Sequence, residues 1–187
     1  MPNWCNNSLT LKHKDPEMIQ RAYTAMCKGE FLNEFFPCPP ELHEHSAPVR
    51  DEGLAEQFIE KYGASDWYNW QVQNWGTKWD IGGDDGLIQR LDDNTLQASF
   101  DSAWAPPVQA YEKLCALGFE IKAYYDEPGM CFCGMVTGDE DFFDDEYYEY
   151  SGESSETVRD VIGEELDDFW NISETMANYE EEENENQ

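Results

Sequence analysis

Three observations predict an α+β sandwich for this chain of 187 residues. Apolar and polar residues alternate from Cys5 to His13, as a half-buried strand requires. Two amphipathic segments begin at prolines, one after Pro16 and one after Pro106-Pro107, as helices do. Each is followed further along the chain by a pair of strand-like runs separated by turn residues.

In chain order, the first strand puts Cys5, Asn7, Leu9 and Leu11 on one side; Trp4, Asn6 and Asn7 read as a strand start whose asparagines bond backbone. Asp15 caps the first helix, Pro16 takes its first position, and Met18, Ile19, Ala22, Tyr23 and Met26 share a face that ends near Gly29. Phe31 to Pro48 contains Pro37, Pro39 and Pro40 and reads as a structured loop. A helix is predicted from Asp51 to Tyr62, with Leu54, Phe58, Ile59 and Tyr62 at helical spacing. Four of the seven tryptophans lie between Trp67 and Trp79, a density that predicts burial against a sheet.

After a Gly82–Gly86 turn come strand candidates Leu87–Leu91 and Thr95–Asp101, joined by Asp92-Asp93-Asn94 as a hairpin turn. The helix after Pro107 carries Val108, Tyr111, Leu114, Cys115 and Leu117, and Gly118 stops it. Phe119–Tyr125 and Met130–Thr137 complete two strands around a Glu127–Gly129 turn. The result is the βαββαβ order of a ferredoxin-like sandwich over residues 1–137, with a helical insertion at about 31–80. The term names a fold and implies no iron–sulfur cluster.

Four motifs carry a resemblance: M-P-N-W-C-N-N-S-L-T-L at the start, F-L-N-E-F-F-P-C-P-P-E-L from Phe31, N-W-G-T-K-W-D-I at Asn74–Ile81, and A-W-A-P-P at Ala103–Pro107. Together they resemble the YubB-type proteins of plasmids and bacteriophages. The resemblance covers roughly residues 1–137 and implies a ferredoxin-like domain encoded by a mobile genetic element. The activity of that family is undefined, so it implies no catalytic residue.

Charge divides the chain. Its last fifty residues hold 20 of the 41 acidic residues and a single base, Arg159, within a net charge of −30. Such a field repels nucleic acid and anionic membrane and attracts cationic protein surfaces. The 27 aromatic residues supply a core and exclude wholesale disorder. Met1 to Asn7 lacks a signal-peptide start and no window is apolar enough for a membrane span, which predicts an intracellular, cytoplasmic protein. The six cysteines show no disulfide rhythm and read as thiols, mostly buried.

The acidic region resolves into three parts. Asp139 to Tyr150 interleaves Asp139, Glu140, Asp141, Asp144, Asp145, Glu146 and Glu149 with Phe142, Phe143, Tyr147, Tyr148 and Tyr150, aromatics that must pack on the domain or on a partner. A helix capped by Ser154 or Ser155 follows, with Val158, Val161, Ile162, Leu166, Phe169, Ile172 and Met176 on one side. Its other side is an acidic ridge of Glu153, Glu156, Asp160, Glu164 and Asp167. Strip and helix span 138–179, and residues 180–187 read as a disordered acidic tail.

Other chemistry is weakly supported. Cys131-x-Cys133 and His43-x-His45 do not match a zinc spacing, and the run from Asp139 lacks the glycine and the ligand position of a calcium loop, so neither metal nor cofactor is expected. No phosphate-binding glycine motif occurs, and the three histidines have no nucleophile motif beside them. Trp75, Trp79 and Trp104 read chiefly as core; Asn74, Trp75, Lys78, Trp79 and Trp104 form an alternative pocket for a small ligand or nucleotide.

The expected function is a non-enzymatic phage or plasmid protein that mimics DNA or RNA. It would block the basic nucleic-acid-binding surface of a host protein, foremost a restriction or CRISPR-type defence component. A host nucleoid or transcription protein is the other target of the same charge pattern. Direct nucleic-acid and membrane binding are not expected.

Overall fold

The computed structural model describes residues 3–83 and 87–185, with side chains described as far as residue 182. Strand β1 (Trp4–Lys12) alternates as its sequence demands, burying Cys5, Asn7, Leu9 and Leu11. Helix α1 (Pro16–Lys28) opens with the Asp15 side chain accepting from the Glu17 N–H at 2.9 Å, and ends at Gly29 with φ 70°. The strands β2 (Ile88–Asp92) and β3 (Thr95–Ala103), helix α6 (Val108–Cys115) and strand β4 (Glu120–Glu127) complete βαββαβ, with a block of helices inserted between α1 and β2.

Two further strands, β5 (Phe132–Gly138) and β6 (Phe143–Glu149), extend the sheet past β4. The strand order is β2-β3-β1-β4-β5-β6, with every neighbouring pair antiparallel. Strand β1 is thus central to the βαββαβ unit and pairs on both sides: Leu9 lies opposite Ala98 of β3 and Ala123 of β4. One sheet face packs on α1 and α6, where Leu9, Leu11, Ile19, Met26, Tyr111 and Leu114 are fully buried.

The insertion is more regular than its prolines suggest. In place of a loop, Phe31–Phe35 forms α2 and Pro40–His43 forms α3, the latter with proline at its opening, where a missing N–H costs nothing. Helix α4 (Glu52–Tyr62) is capped by the Asp51 carboxylate. The tryptophan-rich stretch is itself a helix, α5 (Trp67–Trp75), capped by Asp66 and closed by Gly76. The expected glycine turn extends into residues 84–86, outside the described residues.

Gly134 shows why β5 can sit between β4 and β6. An added Cβ would lie 2.2 Å from the Tyr125 hydroxyl and 2.3 Å from the Glu146 carbonyl. The absent side chain lets Tyr125 reach across β5 from β4 and donate to Asp145 of β6 at 2.7 Å. Gly134→Ala is expected to lower stability by about 1–3 kcal/mol, because backbone on one side and a buried ring on the other leave the methyl no space. Urea unfolding with an unchanged m-value checks this.

Candidate functional site

The acidic–aromatic strip 139–150 is largely a strand, not a free segment. Alternation places Phe143, Asp145, Tyr147 and Glu149 of β6 toward the α6 side, and Asp144, Glu146 and Tyr148 toward the opposite face. Phe143 packs on the main core, whereas Tyr148 and Tyr150 join a second cluster with Cys133, Met135, Val158, Ile162 and Leu166. Among the described residues β6 is last in the sheet, and its outer backbone edge has no strand partner.

The region beyond it departs from the expected single helix. Helices α7 (Val158–Ile162), α8 (Glu164–Trp170) and α9 (Ile172–Glu185) are separated by Gly163 at φ 85° and Asn171 at φ 55°. Both residues tolerate the left-handed region that ends a helix, so the hydrophobic residues fold back as a clamp on the sheet instead of lining one rod. Neither expected serine caps α7: Thr157 precedes it, without a side-chain cap bond. Ser155 instead donates its N–H and hydroxyl to Glu180, at 2.9 and 2.7 Å. The expected disordered tail from 180 continues α9 through Glu185, and residues 186–187 lie outside the described residues.

This break also dissolves the acidic ridge. Asp167 is only 2% exposed and accepts from Arg159, the Ser173 N–H and the Ser173 hydroxyl at 2.7–2.8 Å. Burial pushes its carboxyl up, but those bonds outweigh the burial and hold it below its ordinary value. Arg159 also pairs with Asp168 at 2.8 Å and Glu164 at 3.8 Å, so the one base of the region is held by three acids.

The remaining predicted carboxylates fall into two groups. Asp145 bonds Tyr125, Glu146 accepts from the Tyr148 hydroxyl, Glu149 from that of Tyr147, and Glu153 from that of Thr157. Asp139 caps its own turn by accepting from the N–H groups of Asp141 and Phe142, and Glu140 lies 4.0 Å from Lys14. Asp141, Asp144, Glu156 and Asp160 are exposed and, among the described residues, have no side-chain bond or ion pair. Phe142 is 57% exposed, a large apolar ring in the turn leading into β6.

The predicted tryptophan pocket does not form as a unit. Trp75 is 2% exposed and donates its indole N–H to the Phe36 carbonyl at 2.8 Å, which makes it core. The Asn74 side-chain and backbone oxygens accept from Lys113 at 2.7 and 3.0 Å. Lys78 lies over the rings of Tyr68 and Trp79. Trp79 and Trp104, expected to be core, are 39% and 46% exposed.

Only Trp79 of that set borders the principal groove, a space of about 550 Å³ on the second face of the sheet. Its lining includes Trp4, Asn6 and Ser8 of β1 and Ser99 and Asp101 of β3; Trp79 and Asp80 stand at one side, and Phe169 and Trp170 of α8 also border it. The Asp80 carboxylate is already engaged by the N–H groups of Leu32, Asn33 and Ile81.

The family described as the ferredoxin-like domain in Api92-like protein matches residues 75–186. The chain belongs to that family. The match takes in β2 through α9, so the acidic strand and the helical clamp lie inside the family's domain. The crystal structure of protein api92 from Yersinia pseudotuberculosis is similar at 14% identity and a TM-score of 0.46, covering 81% of this chain and 99% of that one. No curated protein matches.

Within this Api92-like chain, the cysteine and histidine pairs stay apart in role. Cys131 precedes β5 with φ 56°, Cys133 is buried against the clamp, His43 stacks on Trp67, and the His45 ring meets Phe58 at a tilt of 54°. Among the described residues no group of three or more His, Cys, Asp or Glu side chains could hold a metal ion. No disulfide joins the cysteines, and no described helix is long and apolar enough to cross a membrane.

Among the buried carboxylates that sequence reasoning missed is Asp126, which carries no motif. It accepts from the Tyr150 hydroxyl at 2.9 Å, tying the end of the acidic strip to β4. Burial raises its pKa from 3.8 to about 6, with the Tyr150 bond opposing the rise. The folded state therefore retains this proton where the unfolded chain has lost it, and the group costs stability as pH rises through that window. Asp126→Asn is expected to be more stable than the parent at pH 7, by up to about 3 kcal/mol. The difference should fade below about pH 4, which urea unfolding at both pH values measures.

Proposed function

We propose that this chain is a non-enzymatic, phage- or plasmid-encoded protein whose acidic C-terminal surface occupies the nucleic-acid groove of a basic host protein. The observation that carries this reading is the run from Asp139 to Glu156, which holds nine acidic residues and no base. Part of that run is fixed on a strand at the sheet edge. Successive residues of a strand rise by about 3.3 Å. Side chains alternate between faces, so Asp144 and Glu146 project from one face about 6.6 Å apart, near twice the axial spacing of phosphates along one nucleic-acid strand, about 3.4 Å. The strand is held rigid by pairing to β5, so little ordering entropy opposes its docking. Exposed aromatic rings beside it, Phe142 and Tyr147, supply apolar anchors of the kind that dominate interfaces.

The host protein fitting this surface has a cationic groove shaped for a polyanion, and defence nucleases or their effector complexes have that property. The internal bonds of Asp167 and Glu153 remove them from the contact set. Asp141, Asp144, Glu156 and Asp160, which hold nothing in the fold, are the carboxylates most available to a partner.

The test is capture of host proteins on the immobilised chain, followed by competition with duplex DNA. A captured nucleic-acid-binding protein should release its DNA when the chain is added. Capture should weaken steeply between about 50 and 200 mM salt, as binding through several charges does. Changing Asp141, Asp144, Glu156 and Asp160 together to Lys should reduce capture at least about tenfold, the loss of some 1.4 kcal/mol. Unaltered capture by that folded variant, or a captured protein that keeps its DNA, refutes the reading.

A further inference from the structure

We propose that the groove on the second sheet face is a binding site for a guanidinium group. It is separate from the acidic edge and does not depend on how that edge is used. Of the residues lining it, Trp4 is 46%, Trp79 39% and Phe169 41% exposed. Trp4 and Trp79 approach each other to 5.8 Å between ring centroids, and Phe169 and Trp170 meet edge to face at 4.9 Å. Exposed aromatic surface concentrated around one concavity marks a ligand site more than a solvated surface.

The floor specifies the chemistry. Antiparallel pairing sets Ser8 of β1 opposite Ser99 of β3, and Asn6 opposite Asp101. Ser8, Ser99 and Asp101 make no side-chain bond among the described residues, so two hydroxyls and a carboxylate remain available as acceptors. Among the described residues the lining includes no Lys, Arg or His, and its charged groups, Asp80 and Asp101, are acids. A phosphate-bearing nucleotide would meet repulsion there, as it would from the chain's net charge of −30.

A cation is attracted both by the carboxylate and by the faces of the indoles. Lys78 already shows this on Trp79, its ammonium lying 4.7 Å from the ring centroid. Between an ammonium and a guanidinium, the floor favours the latter. A planar guanidinium stacks on an aromatic face while its in-plane N–H donors bond a carboxylate two at a time, with donors left for the serine hydroxyls. A quaternary ammonium has no donor for these acceptors. The space of about 550 Å³ lies within the range of small-ligand sites. The guanidinium can belong to a free metabolite-sized molecule or to an arginine of a polypeptide.

The experiment titrates the full chain with agmatine, with N-acetyl-arginine amide, with tetramethylammonium and with AMP. It follows assigned indole N–H resonances by NMR at about 0.15 M salt, where diffuse counterion attraction is screened. Agmatine should bind saturably and shift Trp4 and Trp79. Asp101→Asn and Trp4→Ala, both at exposed side chains, should each weaken it at least tenfold while amide spectra stay dispersed. Tighter binding of the arginine amide than of agmatine assigns the site to a peptide, and the reverse assigns it to a free amine. Absence of saturation overturns the proposal. So does tetramethylammonium or AMP binding as tightly as agmatine, or agmatine binding that both variants leave unchanged.

Discussion

A six-stranded sheet has two faces, and the two helices of a βαββαβ unit cover one. Strand β5 makes this a constraint: it buries Val136 toward α6 and Cys133 toward the other side. Something must therefore cover the second face at β4 to β6. Helices α7 to α9 do so through Val158, Ile162, Leu166 and Ile172, which form a small core with Cys133 and Tyr150. That core joins two short helices and a longer one, none of which has the length and packing to stand alone. The acidic C-terminal region is for this reason an integral layer of the domain, in agreement with a family domain that runs from residue 75 to 186.

The same requirement explains how so acidic a segment stays folded. Its charges are spent in three ways. Some are consumed in fastening the layer: Asp167 gathers Arg159 and Ser173 around the turn from α8 to α9, and Glu165 accepts from Lys122 of β4. Others accept from tyrosine hydroxyls two residues away along the same face of β6, which needs no cation. The rest stand in solvent at the sheet edge, where their repulsion has a structural use. An edge strand invites pairing with a second copy, and like charges on both copies oppose it. Net charge and an open edge are thus compatible in one sheet.

Much of the main domain was legible in the chain. The alternation from Cys5 to Leu11, the Asp15-Pro16 opening of α1, and the stop at Gly118 are local signals, and each produced the element it predicts. The insertion was harder because Pro40 at a helix start looks like Pro in a loop, and short helices give too little periodicity to separate the two. The C-terminal layer was misread for a related reason. Val158 through Met176 falls on one side of an ideal wheel, but Gly163 and Asn171 permit left-handed backbone and turn one predicted helix into three. Strand β6 was hidden because carboxylates are poor strand formers, and only pairing with β5 makes Asp144 to Glu146 extended.

The groove shows what sequence patterns leave out. Trp4, Asn6 and Ser8 are the solvent half of the alternation that revealed β1, and Ser99 and Asp101 hold the same place in β3. Each strand alone reads as half buried and half wet. Phe169 and Trp170, which also line the groove, are more than sixty residues away from these strands in the chain and arrive there because the helix breaks redirect α8. The Tyr124 ring stacked on Phe169 at 4.2 Å fixes that arrival on β4. Two residues that break a helix therefore do more than shorten it. They convert an apolar stripe into a clamp, leave the acids of β6 at a free edge, and bring aromatic residues to a polar sheet face that would otherwise be bare.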